Sequence, residues 1–292
     1  MLNETMSTFN TTRFGQALKC QFLVLRKTWI RLFGIFTLVM FMANLFFTRV
    51  QGMQYDTIIS SFPMKEAITR YTYHVQSTVT FGVIFFCFSM LFGASFLFSG
   101  MKDTRKRSAF LLWPVSNLEK YTINLLLSIV WLAVITIGAY LLADALRMFV
   151  DWLTGRFVIW GPALFERSIL GPAPEEHWQM AWMLFAWVFY IHSLYIVGGT
   201  LFRRQQFLLT SCTIVLVAIL LTMLLNQIDW NSMNIEFITG TWDEKTETYT
   251  HIFHPFFYML NTAVTLLIFV HYWASYKLFC RMQVINNKWL NV

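Results

Sequence analysis

The sequence predicts an all-α membrane protein with six transmembrane helices, an N-terminal interfacial amphipathic helix and both termini in the cytoplasm. Three observations carry that prediction. First, 57% of the 292 residues are hydrophobic and only 13% are charged, where a soluble domain carries roughly 25% charge. Second, six long apolar stretches occur, none interrupted by proline. Third, the cations gather in alternate connections, as they do in proteins oriented by the bilayer.

The spans run from Trp29 to Thr48, Ser77 to Phe98, Thr122 to Ala143, Trp178 to Thr200, Phe207 to Leu225, and Phe256 to Tyr276. Each approaches or exceeds the ~20 residues that cross a ~30 Å hydrocarbon core at ~1.5 Å rise. Continuous rather than alternating apolarity argues for helices over a barrel. The 30 Phe and 12 Trp suit a lipid-solvated chain with rings at the interfaces.

Charge sets the orientation. Of the 22 Lys and Arg, 15 fall in the N-terminal segment, at the start of span one (Arg31), in the connections after spans two and four, and in the C-terminal tail, with only three acids, Glu4, Asp103 and Glu119. The three opposite loops hold the other 7 cations and 12 acids. Lys and Arg are retained in the cytoplasm, so both termini are expected inside and three loops outside. The basic balance reports topology, and no nucleic-acid partner is expected. The chain reads as one membrane domain, 1–292, with a cytoplasmic N-terminus at 1–28, a cytoplasmic elbow at 99–121 and a cytoplasmic tail at 277–292.

No cleaved signal peptide is read at the N-terminus, which is polar for sixteen residues and lacks an apolar core. Asn3 and Asn10 begin N-x-T triplets, which chance explains on a cytoplasmic segment. The four cysteines, Cys20, Cys87, Cys212 and Cys280, are widely spaced and suggest neither a zinc site nor a disulfide framework.

The elbow is the most organised connection. "KDTRKRSAFLLWP" reads as a short amphipathic helix, with Arg105, Lys106 and Arg107 toward water and Phe110, Leu111 and Trp113 toward lipid or protein. Pro114 ends it. Ser116-Asn117-Leu118-Glu119 then matches a capping box, in which the serine oxygen accepts from the N3 amide and the glutamate reaches back. A new helix is expected there, running into span three. Before span one, Phe14, Leu18, Phe22 and Leu25 fall at helical spacing, with Arg13, Lys19, Arg26 and Lys27 elsewhere, as in a helix lying in the interface plane. Both elements admit two readings: topogenic charge, or a docking surface for a cytoplasmic partner. In the second outer loop, "DALRMFVDWL" suggests a separate amphipathic helix, and "TWDEKTETYTH" in the third a turn or short hairpin.

Enzyme chemistry is not evident. No G-x-S-x-G, H-E-x-x-H or G-x-x-x-x-G-K-[ST] occurs, so the chain has no ATP site of that kind. The six spans, as bounded above, contain no acidic residue, which argues against a carboxylate proton relay. His192 and His271 lie within spans, both ~20–25 Å from the outer ends at ~1.5 Å per residue. That depth allows hydrogen-bonded packing, a pathway lining, or bis-His haem ligation. His251 and His254, with His74 and His177, make a weak metal pattern at the outer edge. Asn44, Asn124 and Thr136 suit interhelical hydrogen bonds, and Gly198-Gly199 a close helix approach.

"FLLWPVSNLEKY", "GGTLFRRQQFLLTS" and "SYKLFCRMQV", in that order and at those positions, resemble the membrane subunits of bacterial type-2 ABC transporters. The resemblance follows nearly the whole chain and is most specific from Pro114 through Ser116 to Lys120. It implies a permease that pairs as a homo- or heterodimer in the bacterial inner membrane, binds no cofactor itself, and is driven by a separate subunit that binds ATP and Mg. It also implies that the elbow is the coupling element. By position, Lys102, Arg105, Lys106, Arg107, Phe110, Trp113, Pro114, Ser116, Glu119 and Lys120 would dock the ATPase, with Arg203 and Arg204 a minor contact. An exporter is the expected direction. Two other readings stay open: a haem-binding redox protein built on His192 and His271, and a membrane anchor or sensor for a cytoplasmic regulator.

Overall fold

The structure, a computed structural model, describes residues 9–50, 62–97, 112–165, 177–202, 205–227, 238–243 and 248–281. Six helices or helix pairs among them are long and apolar enough to cross a membrane, as in a multi-pass membrane protein.

The first is α1, Thr11–Leu45, prolonged by a π-helical turn at Phe46–Val50. Its 35 residues would measure about 50 Å at ~1.5 Å each, well beyond a ~30 Å core. The interfacial helix expected at residues 13–27 is therefore not a separate element; it is the first half of α1. The cause is local. Nothing between Arg26 and Trp29 interrupts i→i−4 hydrogen bonding, because the stretch has no proline and no glycine. Phe22 is also not turned only to lipid, since its ring meets Trp131 edge-on at 4.6 Å.

The second helix, α2, covers Met64–Ser95 and begins well before the expected Ser77. Span three is α3, Asn117–Leu126, a π-helical turn at Leu127–Trp131, and α4, Leu132–Leu153. The outer helix expected at residues 144–153 is thus the continuation of α4. Beyond the expected end of span three at Ala143, α4 carries Asp144 and Asp151, both buried. A turn follows through Gly155, whose φ of +65° is easily adopted without a Cβ.

The remaining helices lie close to their expected places: α5 at His177–Leu201, α6 at Gln206–Leu225 and α7 at Pro255–Cys280. A two-stranded antiparallel hairpin, β1 Ile238–Asp243 and β2 Thr248–Phe253, pairs Thr241 with Thr250. It qualifies the all-α expectation and falls where the polar third loop suggested a hairpin.

The chain forms two compact units. One is drawn from Met1–Gly15, Leu91–Ser128 and Ala173–Val292. In it α7 packs chiefly on α5, which also packs on α6, and α3 touches α7. Its core joins Ala94, Tyr195 and Ile196 to Phe207 and Tyr272. Gly199 is needed here, because a Cβ would lie 2.8 Å from the backbone oxygen of Ser95. A Cβ at Gly198 would collide with the Thr210 side chain. These are the close approaches that the paired glycines suggested.

The other unit is drawn from Gln16–Met90 and Ile129–Pro172. Met40, Ala139 and Ala143 are buried beneath Phe33, Phe36, Phe85 and Tyr140. Gly82 admits the Tyr140 ring, which a Cβ would meet at 2.8 Å. Ser89 and Thr136 share a 3.1 Å hydrogen bond between helices. This matches the expected role of Thr136.

Candidate functional site

The elbow supplies the best-defined constellation. Ser116 sits in extended backbone, and its hydroxyl accepts from the Glu119 amide at 3.2 Å. Glu119 Oε2 accepts from the Ser116 amide at 2.8 Å, completing the capping box. The same carboxylate does more. Its Oε1 accepts from the Asn10 amide at 2.8 Å, and Arg13 grips both oxygens, Nε to Oε2 at 2.9 Å and Nη2 to Oε1 at 2.8 Å. Asn10 in turn caps α1, its side-chain oxygen accepting from the Arg13 amide at 3.1 Å.

Glu119 thus joins two helix N-termini. It closes the first turn of α3 and supplies the anion that the positive end of α1 favours. Its side chain is 0% exposed, while that of Arg13 keeps 25%. A planar guanidinium held at two points fixes orientation as well as distance. The sequence pointed to Ser116 and Glu119 but missed Asn10 and Arg13, which lie more than a hundred residues away.

The elbow residues divide by exposure. Ser116, Glu119 and Lys120 are buried, so they shape the elbow instead of forming its outer face. Trp113 is half-buried, Pro114 is exposed, and Leu112 is 82% exposed. Lys102, Arg105, Lys106, Arg107 and Phe110 lie outside the described residues, as do Arg203 and Arg204.

The intramembrane histidines form a second constellation, between α5 and α7. His192 Nδ1 shares a 3.0 Å hydrogen bond with the Tyr272 hydroxyl. One residue along each helix, the Ser193 hydroxyl shares a 2.9 Å bond with His271 Nδ1. The two imidazoles are at one level but differ in setting. His192 is 2% exposed and its Nε2 has no hydrogen-bond partner. His271 is half-buried, with its ring against Tyr190. Below them, the Tyr121 hydroxyl of α3 donates to the Tyr272 carbonyl at 3.1 Å.

His254 has a structural position. It is the N-cap of α7, its Nδ1 accepting from the Phe256 amide at 3.2 Å. Among the described residues, no three His, Cys, Asp or Glu side chains gather as a metal site.

A third cluster, within the other unit, was not anticipated. Arg147 is 0% exposed and lies between two buried carboxylates of its own helix. Its Nε donates to Asp144 at 2.8 Å and its Nη1 to Asp151 at 2.7 Å. Asp151 also receives Arg49 at 2.9 Å and the Tyr71 hydroxyl at 2.9 Å. The Gly161 amide donates to Asp144 at 3.0 Å, and Arg147 donates to the Ile159 carbonyl. One cluster therefore ties the ends of α1 and α4 to α2 and to the chain returning after Gly155. Buried charges persist only when paired and hydrogen-bonded, and these are. The D-x-x-R-x-x-x-D spacing, i−3 and i+4 on one helix face, could have revealed it.

No family model matches the chain, and no curated protein or solved structure matches it.

Proposed function

We propose that this chain is the permease subunit of an ATP-driven ABC-type exporter, working as a dimer in a bacterial inner membrane with both termini cytoplasmic. A separate subunit carries ATP and Mg. The observation that supports this reading is the elbow. A charge cluster serving only topology requires no capped second helix, and none that is clamped to a distant helix N-terminus through one buried glutamate. A permease without a motor requires a handle that does not yield when pushed. Pro114, the capping box and the Glu119–Arg13 clamp form such a handle at the head of span three.

The haem reading has less support. The two imidazoles are already engaged through Nδ1, His192 with Tyr272 and His271 with Ser193, and they differ in setting, His192 buried and His271 half-buried.

The test is isolation of the tagged chain from the membranes of its own cells. An ATP-hydrolysing subunit should co-purify, and Glu119→Pro, which removes both the capping box and the carboxylate held by Arg13, should abolish ATP-driven transport by the complex. Recovery with a regulator that has no nucleotide site would instead favour the anchor or sensor reading.

A further inference from the structure

A continuous set of contacts within one unit runs from the elbow into the bundle. It starts at the Arg13–Glu119 clamp at the head of α3. Two residues beyond Glu119, Tyr121 is 5% exposed and packs on Tyr276 and Phe279 of α7, with ring centroids 5.4 and 5.9 Å apart. Its hydroxyl donates to the Tyr272 carbonyl at 3.1 Å. The Tyr272 hydroxyl then holds His192 of α5 at 3.0 Å. Three helices are thus linked through two tyrosines.

The end of this chain is unusual. His192 is 98% buried yet leaves Nε2 without a protein partner. A buried polar atom without a partner costs free energy and calls for an explanation. An ionisable side chain in a membrane segment marks a functional position more often than a packing one. A bulky apolar residue would fill the same seam at lower cost.

We propose that Tyr121 is the positioning residue through which movement of the elbow reaches the His192–Tyr272 pair, and that this pair is where the elbow's state is read inside the bundle. The inference deepens the permease reading and rests on it for its purpose, but the coupling itself requires no partner. Coupling of this kind needs a demonstrated physical link between two sites, and spatial intermediacy alone is not enough. A double-mutant comparison provides that test.

The experiment uses the full chain in detergent, labelled at histidine, with ring nitrogen resonances recorded by NMR. His192→Asn identifies the His192 signal. Arg13→Met releases the clamp, and Glu119→Gln is a milder second perturbation. Each should shift the His192 resonance more than that of His254. Placed in a Tyr121→Phe background, which keeps the ring and deletes only the hydroxyl, both substitutions should lose most of that shift. Thermal unfolding of each variant checks that the fold persists.

An unmoved His192 signal in both elbow variants overturns the proposal, as does a shift of full size in the Tyr121→Phe background. No ATPase enters the measurement. Either negative result therefore removes the Tyr121 link while leaving the permease reading to its own test. Conversely, an absent ATPase partner with an intact shift would leave the link and remove the permease reading.

Discussion

The chain contains two ionic clusters built on one helical span, and they differ in what they join. At the head of α3, Glu119 takes one arginine and two backbone amides, and Arg13 remains a quarter exposed. On α4, Arg147, Asp144 and Asp151 are all 0% exposed, and each carboxylate has more than one donor. The first cluster resembles a latch with one side in water. The second is enclosed at its centre, where Arg147 meets both carboxylates, while Arg49, which also pairs with Asp151, keeps 22% of its side chain exposed. A fully satisfied buried network rigidifies the elements it joins. A half-exposed pair can be strained and reformed at lower cost. Span three is thus enclosed where Arg147 meets Asp144 and Asp151, and reaches water beside Arg13 at its elbow.

The largest effect should come from Arg147→Met. It leaves two buried carboxylates short of a partner, a loss of about 3–5 kcal/mol for a broken buried pair. Thermal unfolding in detergent should show a steep fall in midpoint, and the charge-free combination with Asp144→Asn and Asp151→Asn should recover much of it. Should the single substitution be harmless, the α4 cluster is not an enclosed network.

Next in size is Gly199→Ala, which places a Cβ against the Ser95 backbone and should cost about 1–3 kcal/mol through overpacking. Ser116→Ala should cost about 1 kcal/mol through loss of the α3 cap. Glu119→Gln should also lower the midpoint, but by less than Arg147→Met. High salt sharpens the contrast. The Debye length falls to about 3 Å at 1 M, so the deficit of Glu119→Gln should shrink while that of Arg147→Met persists. Equal salt responses would erase the distinction between the two clusters. The smallest effect belongs to Arg70→Ala, which removes an exposed i,i+4 pair with Glu66 and should change stability by no more than about 0.5 kcal/mol.

Much of this architecture was legible in the sequence. The capping box announced itself because its chemistry is local, three residues apart. The paired glycines and the three later spans were readable for the same reason, as was the polar third loop. The matching levels of His192 and His271 could be counted from the apolar runs. What escaped was non-local or depended on a boundary. Arg13 and Asn10 are ordinary polar residues until the fold brings them to Glu119. Tyr121 and Tyr272 look like interface aromatics until one hydroxyl meets the other residue's carbonyl. Asp144, Arg147 and Asp151 were assigned to an outer helix because charge normally ends an apolar span. Here mutual pairing lets the helix continue. The reverse error occurred in α1, where cations suggested an interfacial helix, although no residue was present to end the one that continued.

The central claim is that the elbow is the face on which an ATPase pushes. Leu112, 82% exposed beside Pro114, is the position from which to test it. A photocrosslinking amino acid placed there, activated in membranes of the native cells, should join this chain to one protein that carries a nucleotide-binding P-loop. Adducts confined to lipid, or to a protein with no nucleotide site, would contradict the claim.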